Sequence, residues 1–69
     1  MADLPIAAVA RVAKNSGAER VGSDASALLL QKTEDYLAKL VKEAVKLANH
    51  AGRKTLKEED IEMAASNLS

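Results

Sequence analysis

From Ala25 to His50 the chain contains neither proline nor glycine. A run this long, rich in leucine, alanine, lysine and glutamate, predicts one helix of about 26 residues, roughly 40 Å at 1.5 Å per residue. Its apolar residues are Leu28, Leu29, Leu30, Tyr36, Leu37, Leu40, Val41, Ala44, Val45, Leu47 and Ala48. They cover more than the single stripe a surface helix needs. Between them Gln31, Lys32, Glu34, Asp35, Lys39, Lys42, Glu43 and Lys46 alternate in sign, the mark of a solvated face. The helix therefore has apolar surface to bury on more than one side.

The flanking punctuation shows what is available to bury it. Pro5 suits the first turn of a helix, and Ile6, Val9, Ala10 and Ala13 continue at helical spacing to the stop "NSG" at 15–17. Either Ser23 or Asp24 can cap the long helix, and Gly52 ends it. Thr55 and Glu58 have capping-box spacing, with Glu58, Glu59 and Asp60 at the positive end of a last helix through Ile61, Ala64, Ala65 and Leu68. The reading is a single all-α domain over 1–69, with helices at about 5–15, 24–50 and 56–67 and loops at 16–23 and 51–55. Two flanking helices this short cannot cover a rod of roughly 40 Å. A second long helix must cross it, which predicts an obligate dimer whose folding and association are one event.

Composition removes several classes of function. Ten Lys and Arg balance ten Asp and Glu, so no global field draws the chain to polyanions and any such binding needs a local patch. Tyr36 is the sole aromatic residue, against a base-stacking single-strand binder. Without cysteine, and with His50 as the single histidine, neither a disulfide nor a metal site is expected. No nucleophile–base set or glycine-rich phosphate loop appears, so neither catalysis nor a cofactor is expected. No run reaches transmembrane length and the start lacks the form of a signal peptide, so the expectation is a soluble intracellular protein. The stretch "NHAGRKTLKEED" at 49–60 nevertheless crowds both signs of charge into one connection.

The stretches "LPIAAVARVAK" (4–14), "GAERV" (17–21), "SDA" (23–25) and "KLANHAGRKTLKEEDIEMA" (46–64), with these helix lengths, resemble an archaeal histone. The resemblance implies the histone fold, short helix–long helix–short helix, with two chains clasped antiparallel in a handshake dimer. That dimer would set the first loop of one chain beside the second loop of the other. By the same resemblance Arg20 reaches into the DNA minor groove, Lys54 and Thr55 contact phosphates, and Arg11 and Lys14 extend the surface along the first helix. Arg53 is implied to pair with Asp60 and shape the second loop. Leu47, His50 and Asp60 match a contact through which dimers join as tetramers, where protonation of His50 would tune assembly.

The function so implied is wrapping and compaction of double-stranded DNA without sequence preference, at the chromosome (nucleoid) in the cytoplasm. The partners would be DNA and a second copy or a paralogous histone, and no membrane. The alternative is a histone-fold protein-interaction subunit of a transcription-related complex with weak or no DNA binding. Arg11, Arg20, Lys54 and Thr55 together favour the first, because a pure interaction subunit has no physical need for all four. Asn49 stands where many family members carry a basic residue, which lowers the local positive field.

Overall fold

The computed structural model describes residues 6–69. The elements are α1 (Ile6–Asn15), α2 (Ser23–His50) and α3 (Glu58–Leu68), with no strand among the described residues. The placing of Pro5 at the start of α1 falls outside those residues. No helix is long and apolar enough to cross a membrane among the described residues. The chain divides into two compact units, one up to Glu34 and one from Asp35 onward, so that α2 contributes to both.

Both α1 and α2 end on a glycine with positive φ, Gly17 at 118° and Gly52 at 77°. After α1 the Ala18 N–H donates to the Ala13 carbonyl at 3.1 Å, and after α2 the Arg53 N–H donates to the Ala48 carbonyl at 2.8 Å. These bonds satisfy carbonyls that a helix end otherwise leaves without partners. The same offset in residue number relates the helix starts that follow. Ser26 N–H donates to the Gly22 carbonyl at 2.9 Å, as Ile61 N–H donates to that of Lys57 at 3.2 Å. The loops 16–22 and 51–57 are thus equal in length and share these backbone hydrogen bonds at both ends. Each unit is a helix, a seven-position loop and a helix, built to one plan.

Two capping expectations are corrected. Neither Ser23 nor Asp24 caps α2; Gly22 holds that position and both lie in the first turn, where Asp24 still meets the positive helix end. The box expected between Thr55 and Glu58 does not form. α3 begins at Glu58, with Lys57 as N-cap in extended geometry (φ −115°, ψ 164°). Asp60, not Glu58, reaches back to the N-cap and accepts the Lys57 N–H at 2.9 Å. The cap moves two residues on because Asp60 also receives the Arg53 guanidinium, which holds its carboxylate in place.

Burial is sparse. In the second unit Ala44, Ala48 and Ala64 are 0%, 2% and 0% exposed, and Asn67 Nδ2 donates to Glu43 Oε2 at 3.1 Å between α3 and α2. In the first unit no residue of α1 is buried. No large side chain is fully buried among the described residues, while Leu28, Tyr36, Leu37 and Met63 stand about half exposed. A core of three alanines removes little apolar area from water, so large apolar side chains such as Leu28, Tyr36, Leu37 and Met63 stay half uncovered in the isolated chain.

Candidate functional site

The second loop is organised around one guanidinium. Arg53 Nη1 donates to Asp60 Oδ2 at 2.8 Å and Nη2 donates to Asp60 Oδ1 at 2.9 Å, a two-pronged pair across the start of α3. Nη1 also donates to the Thr55 carbonyl at 3.3 Å, so one side chain ties the middle of the loop to the helix that follows. The Asp60 side chain is 5% exposed and that of Arg53 25%. The Arg53 hydrogen bonds, then the Lys57 N–H, hold the Asp60 carboxyl down at about 2, and the pairing raises the Arg53 guanidinium above its ordinary value. Glu59 lies 3.7 Å from Arg53 Nη2 but is 76% exposed, a loose and screened contact.

With Arg53 turned inward, the outward-facing groups of this loop are Lys54 and Thr55, both exposed. Lys54 takes part in no ion pair among the described residues. In the first unit Arg20 is exposed in loop 16–22, and Arg11 and Lys14 are exposed three residues apart on α1. None of these three is in an ion pair among the described residues either. The five cationic and hydroxyl residues singled out in the sequence therefore fall into two groups. Arg11, Lys14 and Arg20 belong to the first unit, and Lys54 and Thr55 to the second.

Leu47, His50 and Asp60 line one shallow groove of about 310 Å³ in the second unit, with Met63 and Glu59 beside them. Both Asp60 oxygens already accept from Arg53, and one also accepts from Lys57, so its charge is compensated within the chain. Sequence reasoning did not anticipate a second, apolar groove of about 440 Å³ in the first unit, lined by Val9, Val12, Ala13 and Leu29. The two hydroxyls that also line it are engaged within the chain, Ser16 Oγ donating to the Val12 carbonyl at 2.8 Å and Thr33 Oγ1 to that of Leu29 at 2.7 Å. The amphipathic spacing of α1 was the available signal. No cluster of His, Cys, Asp or Glu suited to a metal occurs among the described residues.

Fold and site together define an all-α chain with a thin core, two loops of equal length and, on each, an exposed cation outside any ion pair among the described residues. Residues 2–65 match the family described as histone-like transcription factor (CBF/NF-Y) and archaeal histone. The chain is 47% identical over 64 residues to one of the subunits of archaeal histone HAN1 from Thermococcus zilligii, covering 93% of this chain and 96% of that protein. It is 39% identical over 64 residues, with the same coverage of both, to probable archaeal histone 3 of Methanocaldococcus jannaschii. The chain belongs to this histone family, and its three helices are those of the histone fold.

Proposed function

We propose that the chain is a chromatin protein that binds, wraps and compacts double-stranded DNA without reading its sequence. Two chains clasp as a handshake dimer, bringing the first loop of one beside the second loop of the other at each end. Arg20 then enters the minor groove, Lys54 and Thr55 hold phosphates, and Arg11 and Lys14 flank them along α1. Such contacts favour DNA that bends easily over any particular base sequence. The observation that carries this reading is the division of labour in the second loop. Arg53 is neutralised by Asp60, while Lys54 beside it stays exposed and free of an ion pair among the described residues. A chain of zero formal net charge can bind a polyanion only where such local cations survive.

The partner is a second copy or a paralogous histone. Dimers join as tetramers through Leu47, His50 and Asp60, and the protein resides on the chromosome in the cytoplasm. It has a structural rather than a catalytic role. The test is DNA affinity across a salt series for the parent, Arg20→Ser and Lys54→Ala. Each substitution should shallow the slope of log K against log salt by about one unit, equally on unrelated DNA sequences. Binding that ignores salt, or a parent that fails to bind at low salt, defeats the proposal.

A further inference from the structure

Charges alternate along α2, the pattern of a solvated face, but in the second half of the helix the two signs are not equally free. From Tyr36 to His50 it carries Lys39, Lys42 and Lys46 against one carboxylate, Glu43. Asn67 on α3 donates to Glu43 Oε2 at 3.1 Å, and the Glu43 side chain is only 25% exposed. Its other oxygen stands 3.8 Å from the Lys46 ammonium, whose side chain is 78% exposed, a loose and screened contact. Lys39 and Lys42 are exposed and take part in no ion pair among the described residues. Asp35, a turn before Lys39, forms none with it either.

Positions 39, 42 and 46 recur at the spacing that sets side chains on one side of a helix. α3 covers another side, over Ala44 and Ala48, and the groove of Leu47 and His50 opens on a further one. The lysines thus form a row of roughly 10 Å at 1.5 Å of rise per residue. We propose that this row is a second DNA-binding surface, taking the phosphates of a duplex other than the one held at the loops, so that the protein bridges two duplexes. The first duplex is that of the function proposed above, on which this inference rests. A duplex carries one negative charge per about 1.7 Å of axis, hence about six along the row, and lysine meets phosphate as a point charge. An open row of ammonium groups has nothing to enclose a small anion, and with Tyr36 as its only aromatic residue the chain has no stacking platform for a single strand. An acidic protein surface is the competing partner, such as Glu58, Glu59 and Glu62 exposed on α3 of another copy. Exposed ammonium–carboxylate pairs return little, whereas neutralised phosphates release counterions, which favours the duplex. The row begins a turn inside the end of α2, and DNA resists the sharp bend that would carry one duplex over both row and loops.

Capture of one duplex by another is the test. A duplex fixed to beads is loaded with protein, washed, and offered a second, labelled duplex of unrelated sequence. The parent should retain the second duplex at low salt, and retention should fall with salt by about one unit of slope per lysine. The triple variant Lys39→Gln, Lys42→Gln, Lys46→Gln should retain at least about tenfold less. Its affinity for a single duplex, and the salt slope of that binding, should stay those of the parent. Arginine at the same three positions should capture as the parent does, because the row supplies charge. All three side chains are exposed, so the unfolding midpoints of these variants should agree with that of the parent.

A parent that binds one duplex but retains no second overturns the inference. So does a glutamine variant that captures like the parent, as happens if joined dimers bridge DNA through their loops alone. A glutamine variant that loses about three units of slope on a single duplex places the row on the first DNA track, and again overturns it. Sedimentation without DNA tests the acidic partner: weaker self-assembly of the glutamine variant would assign the row to a protein contact instead. In all these cases binding of the first duplex persists. A parent that binds no DNA would remove the functional reading and this inference with it.

Discussion

Arg53 and Asp60 are joined by two parallel hydrogen bonds, 2.8 and 2.9 Å, with the carboxylate almost wholly enclosed. The pair lowers the Asp60 carboxyl from 3.8 to about 2. A carboxyl depressed on folding stabilises the folded state fully at pH values above its unfolded value. That contribution should be present above about pH 4 and lost as pH falls through the interval from 3.8 toward 2. In urea titrations, Asp60→Asn should be less stable than the parent at neutral pH, and the gap should narrow as pH falls through that interval. A gap independent of pH would show that the charge of Asp60 is not what holds the loop.

The glycines differ in what they permit. Gly52 has φ 77° and Gly17 φ 118°, so a side chain at either is strained even though open space surrounds both. Gly52→Ala should cost about 1–2 kcal/mol in thermal or urea unfolding. Gly22 has ordinary φ and open space around it, and it occupies the N-cap of α2. Gly22→Ser should stabilise by a few tenths of a kcal/mol, because a hydroxyl there can accept an N–H of the first turn.

The buried apolar residues of the second unit are all alanines. Ala64 is 0% exposed on α3, as Ala44 is on α2. Ala64→Leu should destabilise by about 1–3 kcal/mol through overpacking, measured as a shift of the unfolding midpoint. The same change at Ser66, an exposed position of α3, should have little effect.

With no large side chain fully buried among the described residues, stability should come from association. The thermal midpoint should rise with protein concentration, as mass action requires when folding and dimerisation are coupled. Leu37→Glu, at a half-exposed apolar position of α2, should lower the midpoint and steepen that dependence. A folded monomer at micromolar concentration would count against the dimer.

The groove of Leu47, His50 and Asp60 gives a separate test of tetramer formation. His50→Ala and Leu47→Ala should each reduce the tetramer fraction in sedimentation while leaving the dimer intact. If His50→Ala assembles like the parent at every pH, that groove is not where dimers meet.

Much of this was readable in one dimension. The glycine at each helix end, the unbroken run after Ala25 and the acidic first turn of α3 depend on neighbours within a few residues, and local preference governs them. The repeated helix–loop–helix plan was not readable. Among described positions related by the offset, only Ala13 with Ala48 and Gly17 with Gly52 are the same residue type, so the likeness lies in backbone geometry and not in side chains. The cap of α3 was misplaced for a related reason. The choice between Glu58 and Asp60 turned on which carboxylate the Arg53 guanidinium reaches, a matter of position in space.

By itself the sequence determined three helices, their stops, and a long helix with more apolar surface than its own chain can hide. It also determined that any binding to a polyanion must be local, because charge balance is a property of composition. Which cations remain available is not a matter of composition: the resemblance implied it, and the physical reason lies in the tertiary structure. Arg53 and Lys54 are adjacent and alike in charge, yet one is bound to Asp60 and the other is exposed. That difference arises because a guanidinium fork and a carboxylate seven residues away are brought within hydrogen-bonding distance only when the loop turns α3 back beside α2.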